Sequence, residues 1–138
     1  LEKQRLNVER SEKDSRLGVL ATKSNDNDIS LIAYNYDETD SDLNDSDQIV
    51  LTIGGLNPNT DYKIVETSID ENNNNTYSAW QKIGKPASSI NVDLSTLQKA
   101  GNLNATGKSS FTTNNEGVVE LKIDLKRHTM MLFQIDRK

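Results

Sequence analysis

In a 138-residue chain without cysteine, chemistry would have to come from carboxylates, one histidine or a few aromatic rings. The 21 Asp and Glu residues make a carboxylate pair for glycoside hydrolysis arithmetically available. Nothing in their spacing marks a pair out, and surface carboxylates are the ordinary expectation at a net charge of -5. The acidic stretch ETDSDLNDSD, Glu38 to Asp47, puts Asp40, Asp42 and Asn44 at the first three ligand positions of an EF-hand. The position that needs glycine is then Asp45, and the one that needs glutamate is Leu51, which excludes that loop. A looser calcium site there is the minority reading beside a plain solvated loop. His128 has no serine in a nucleophile-elbow sequence to work with, so no triad can be assembled. Beside Lys126 and Arg127, at an expected hairpin turn, it is expected to be exposed.

Asn73, Tyr77 and Trp80 are the candidate carbohydrate-binding residues, since aromatic faces suit the C–H surface of a pyranose ring. They lie in SIDENNNNTYSAWQKIGKP, Ser68 to Pro86. The favoured reading of the aromatics is structural. Tyr77, Trp80 and Ile83 stand at helical spacing and are expected to pin a helix onto the body of the domain. Asn75 is expected to cap that helix by a side-chain bond to a first-turn amide, with Gly84 and Pro86 as its stop.

The elements around these residues are mostly strands. GVLATKS and ISLIAYNYD, separated by NDND, read as a hairpin. The second run is apolar on both faces, which predicts a central strand. QIVLTIGGL and DYKIVETSID alternate with a period of two. Between them Leu56, Pro58, Thr60 and Tyr62 form L-x-P-x-T-x-Y, the spacing of a tyrosine corner in which a ring packs inward and its hydroxyl bonds the chain reversal. VDLSTLQKAG reads as a second short helix, capped by Asp93 and ended by Gly101. Strand pattern resumes at NATGKSSFTT, turns at NNEG in an expected hairpin, and ends with VVELKIDL and RHTMMLFQID. The expected fold is mainly β: a fibronectin-III- or immunoglobulin-like antiparallel sandwich with a helix–loop–helix inserted at about Thr76 to Gly101.

Composition excludes other classes. No basic stripe is dense enough to neutralise several phosphates, so nucleic-acid binding is not expected. No apolar run approaches the ~20 residues of a membrane-spanning helix. Without cysteine there is neither a disulfide nor a thiolate metal site, and no cofactor is expected. A mean hydropathy of -0.71 predicts a modest core under long polar loops.

Four segments in order resemble the C-terminal β-sandwich domain of glycoside hydrolase family 39, the β-xylosidases and their α-L-iduronidase relatives. They are GVLATKSNDNDISLIAYNYD, IDENNNNTYSAWQKIGKP, LSTLQKAGNL and VELKIDLKRHTMMLFQID. Asn75, Tyr77, Trp80, Gly84 and Pro86 match the family pattern. Asn73 and Asn74 stand where the family often has His and Ser, Ile83 replaces Met, and Lys85 replaces Ser. The resemblance implies that catalysis belongs to two glutamates in a separate (β/α)8 barrel absent from this chain. Residues 1–16 would be a connector from that barrel and 17–138 an accessory domain. Its implied partners are the parent's own barrel, carbohydrate at the cleft rim, or a further copy in an oligomeric parent. In some family members a segment preceding the barrel adds a strand to the sandwich, which would leave an exposed edge here.

Overall fold

A computed structural model describes residues 4–11, 14–24, 28–39, 45–87 and 93–138. The chain runs β1 (Gln4–Arg5), β2 (Leu17–Lys23), β3 (Ile29–Asn35), β4 (Ser46–Ile53), β5 (Asp61–Ile69), α1 (Thr76–Lys82), α2 (Leu94–Ala100), β6 (Gly107–Thr112), β7 (Val119–Lys126) and β8 (Thr129–Arg137). The strands form two antiparallel sheets. A six-stranded sheet has the order β1-β2-β3-β8-β5-β6, and β4 pairs with β7 in a two-stranded sheet. This is the expected sandwich with its helical insertion between β5 and β6. Gln4 and Arg5, in the segment expected as a connector, pair with Lys23 and Thr22, and Leu6 and Val8 pack against the core.

Strand period decides what is buried. In β3, Ile29, Leu31, Ala33 and Asn35 are buried while Ser30, Ile32 and Tyr34 face outward, and the strand is central as its two apolar faces predict. In β7, Ile123 and Leu125 meet Phe133 and Ile135 of β8 and Tyr62 and Ile64 of β5 in one core cluster. Leu125 and Ile135, 0% and 1% exposed, are each worth about 1.5–3 kcal/mol of burial.

The expected hairpin between β2 and β3 is present, although residues 25–27 of its turn lie outside the described residues. The other two expected hairpins are not. After Thr112 the chain leaves the large sheet, and β7 enters the small one beside β4, so NNEG is a crossover. The Arg127–His128 turn carries the chain back, from β7 to β8. Local turn chemistry is the same in both cases; long-range pairing decides which strands meet.

Each end of the sandwich is tied by polar bonds between neighbouring crossovers. At one end the Thr60 N–H donates to Thr113 Oγ1 at 3.0 Å, and Thr113 Oγ1 donates to Asn57 O at 2.6 Å. The tyrosine corner sits here: Tyr62 is buried, stacks on Phe111 at 5.4 Å between centroids, and its hydroxyl accepts from the Asn57 N–H at 3.1 Å. Leu56 packs against the core and Pro58 O accepts from Thr60 Oγ1 at 2.8 Å. At the other end Arg127 pairs with Asp37 and with Asp45, the latter at 2.7 Å. Beside it Asn35, 1% exposed, donates from Nδ2 to Leu125 O at 3.0 Å and Asp47 Oδ2 at 2.9 Å, linking the two sheets.

Sheet sizes do not match. Among the described residues β7 pairs only with β4. A groove of about 380 Å³ runs along its free side, lined by Glu120 to Asp124 and by Ile64, Met131 and Phe133 of the large sheet. Such an edge is open to strand addition.

Candidate functional site

The asparagine run is a hydrogen-bonded junction between β5 and α1. The Asp70 carboxylate accepts from the Asn72 amide at 2.7 Å, the Asn73 amide at 2.9 Å and Asn73 Nδ2 at 3.0 Å. Burial pushes the Asp70 pKa up, but the bonds from Asn73 and Asn72 outweigh it and hold it below 3.8. Asn74 has a left-handed φ of 50° and works as a clamp. Its Nδ2 donates to Ser68 O at 2.7 Å and Asn104 O at 3.0 Å, and its Oδ1 accepts from the Asn104 N–H at 2.9 Å. A side-chain amide thereby pairs both ways with the backbone ahead of β6.

The cap expected at Asn75 is present: Oδ1 accepts from the Ser78 N–H at 3.1 Å, and Nδ2 donates to Asp70 O at 2.9 Å. α1 ends at Lys82 with Ile83 as its C-cap, and the expected stop, Gly84, follows directly. Lys85 N–H bonds Trp80 O at 3.1 Å and Gly84 N–H bonds Gln81 O at 3.0 Å, a Schellman ending that needs the Gly84 φ of 89°. The Trp80 indole N–H donates to Pro86 O at 3.2 Å, fixing the loop that follows. Asp93 caps α2 by accepting from the Ser95 N–H at 3.0 Å, and α1 and α2 pack on each other.

Tyr77 and Ile83 do not do what their spacing predicts. Tyr77 is 62% and Ile83 45% exposed, so neither pins α1. The buried residue of α1 is Ser78, and Trp80 is half-buried. The Tyr77 and Trp80 rings lie side by side, 5.6 Å between centroids at 32°. Helical period gives the relative positions of side chains on a helix; the body it docks against decides which stripe faces in.

Asn73 and Tyr77 line a cleft of about 620 Å³ together with Asp70, Gln81, Lys126 and His128; Trp80 lies outside it. Leu56, Pro58 and Tyr62 belong to the corner at β4–β5, apart from this cleft. His128 is not the exposed turn residue expected. It is half-buried at a φ of 55°, its ring meets Tyr36 edge-on at 5.8 Å, and its Nε2 is buried without a partner among the described residues. Sequence reasoning missed its place in the cleft because the β7–β8 turn is a crossover. The one available signal was its status as the only histidine.

No group of three or more His, Cys, Asp or Glu residues suited to a metal ion exists among the described residues. Asp40, Asp42 and Asn44 of the acidic loop lie outside them. Among the described residues five carboxylates are shifted, all downward. Hydrogen bonds from Arg16 bring Asp14 to about 2, and those from Thr39, Arg127 and Ser95 lower Asp37, Asp45 and Asp93. Asp70 is the fifth. Anions held this firmly are poor proton donors near neutral pH.

The family model described as glycosyl hydrolases family 39 matches residues 1–119. Among solved structures, a GH39 enzyme from Xanthomonas axonopodis pv. citri superposes with a TM-score of 0.69 at 14% identity, over 86% of this chain and 25% of that one. A monomeric β-xylosidase from Caulobacter crescentus CB15 gives 0.60 at 20% identity, over 90% of this chain and 26% of that one. The bacterial orthologue of human α-L-iduronidase gives 0.56 at 18% identity, over 88% and 22%. At these identities the likeness shows the fold, and the chain spans about a quarter of each structure's length. No curated protein sequence matches it.

Proposed function

Because the chain belongs to glycosyl hydrolase family 39, we propose that it is the non-catalytic C-terminal β-sandwich domain of a β-xylosidase-like glycoside hydrolase. On this reading the parent cleaves O-glycosidic bonds of xylan-type carbohydrate with retention, using two glutamates in a (β/α)8 barrel outside residues 1–138. Residues 1–16 lead in from that barrel, with Gln4 and Arg5 pairing onto β2, and 17–138 form the rest of the accessory unit. The carrying observation is electrostatic. A glycosidase needs one carboxyl group whose pKa is raised so that it can protonate the leaving oxygen. Among the described residues each shifted carboxylate is held down instead. The open β7 edge adds support, since a domain completed by a strand from its parent would expose such an edge when isolated.

The coding sequence upstream of Leu1 tests the reading. It should encode, in frame, a (β/α)8 barrel with two glutamates at strand ends, and the isolated chain should not turn over an aryl β-xyloside. Lack of the barrel, or turnover by the chain alone, overturns it.

Exposure of Tyr77 favours a second reading, carbohydrate contact at the cleft it shares with Asn73. Affinity electrophoresis on xylan should then show retardation that Tyr77→Ala removes; equal mobility with and without glycan sinks it. A plain spacer is disfavoured because α1 and α2 form a capped, mutually packed unit.

A further inference from the structure

Buried polar atoms of a folded chain nearly always have a hydrogen-bond partner, so one without a partner marks a place where something else binds. Among the described residues, two such atoms belong to residues that face each other at the Arg127 end of the sandwich, Asn35 Oδ1 and Thr129 Oγ1. Asn35 is 1% and Thr129 7% exposed. They are register partners on β3 and β8, and both lie on the inward face of the large sheet. His128, one residue back, is not part of this pair, since its ring lies against Tyr36.

The neighbours of Asn35 fix which way its amide points. Nδ2 donates to the Leu125 carbonyl at 3.0 Å and to the Asp47 carboxylate at 2.9 Å. A carbonyl and a carboxylate only accept, so the NH2 end belongs to them and a flipped amide would lose both bonds. What Oδ1 lacks is a donor. The Thr129 hydroxyl is one, yet no bond joins the two. Directly opposed residues of an antiparallel pair have Cβ atoms about 4.5–5.5 Å apart. Two hydrogen bonds of about 2.8 Å through one intervening oxygen reach up to about 5.6 Å. A cation would face the Arg127 guanidinium, and an anion the Asp37, Asp45 and Asp47 carboxylates, at the same end of the sandwich; a small neutral molecule meets neither objection. We propose that this pair holds one buried water, which donates to Asn35 Oδ1 and accepts from the Thr129 hydroxyl. Two polar partners meet the least that a buried water needs. Thr129 also borders the 620 Å³ cleft, which gives water a route in. With the water bound, Asn35 joins four strands: β3, which carries it, β4 and β7 through its amide protons, and β8 through the water.

A high-resolution crystal structure of the 138-residue chain, with water-selective Overhauser spectra in solution, tests the proposal. One density peak should lie about 2.7–3.2 Å from both oxygens, and the Thr129 methyl should show a cross-peak to long-lived bound water. Thr129→Val keeps the branched shape without the hydroxyl and should lose the peak, while Thr129→Ser should keep it. No peak in the unsubstituted chain, or a direct bond between Thr129 and Asn35, overturns the proposal. A peak with six or more oxygen neighbours at about 2.3–2.6 Å also overturns it, because a cation is then the guest. Retention of the peak in Thr129→Val overturns the bridge, since the hydroxyl then plays no part. If Thr129→Val does not fold, the unsubstituted chain alone decides, by the presence or lack of the shared peak.

Discussion

Replacing Asn74 tests whether the asparagine run is a built clamp. Three hydrogen bonds end on its side chain, tying Ser68 at the end of β5 to Asn104 ahead of β6. Each bond nets about 0.5–1.5 kcal/mol, and the clamp is partly exposed, so Asn74→Ala should lose about 1.5–2.5 kcal/mol from bonding. Alanine must also hold a φ of 50°, which adds about 1 kcal/mol. The sum is about 2.5–3.5 kcal/mol, or roughly 7–14 °C in Tm for a domain of this size. Asn74→Gly loses the same bonds without the strain and should be about 1 kcal/mol less damaged. Urea unfolding measures both values. Hydrogen exchange localises them: the Asn104 amide should lose protection in both variants, while the Ser78 amide, capped by Asn75, keeps it. Unchanged exchange at Asn104 refutes the clamp, and equal stabilities of the two variants refute the strain.

Three further outcomes follow from the same bonding. Tyr62→Phe should cost about 1–2 kcal/mol in urea unfolding, because the part-buried Asn57 N–H loses its acceptor while the ring still stacks on Phe111. Gly117→Ala should cost about 3–5 kcal/mol or prevent folding, since a Cβ there collides with the Leu56 carbonyl and φ is 71°. A soluble, fully stable variant would show that the 113–118 crossover is looser than described. Asp70, whose folded pKa lies below 3.8, contributes stability that is present above that value and lost as pH falls through the lower folded value. The fall in urea midpoint between about pH 6 and about pH 3 should therefore be smaller in Asp70→Asn than in the parent chain; equal falls would show that Asp70 is not the group.

Legibility in the sequence followed the range of the interaction. The caps at Asn75 and Asp93, the Gly84 ending and the Tyr62 corner each involve residues within six positions of one another. The function of Asn74 was hidden because its partner Asn104 lies 30 residues away. His128 and Asn73 share a cleft only because the β7–β8 turn folds back against the asparagine run.

By itself, the sequence determined strand period, the caps and stops of both helices, and membership in a family through four segments in order. These rest on the chain's local dihedrals and on side chains that reach their own backbone. Tertiary structure alone decided that NNEG and Arg127–His128 join sheets rather than strands, and that Tyr77 faces out. Each depends on which edges and faces meet across tens of residues. A strand with a clear inward face still has two edges, and its own residues do not say which neighbour each will find.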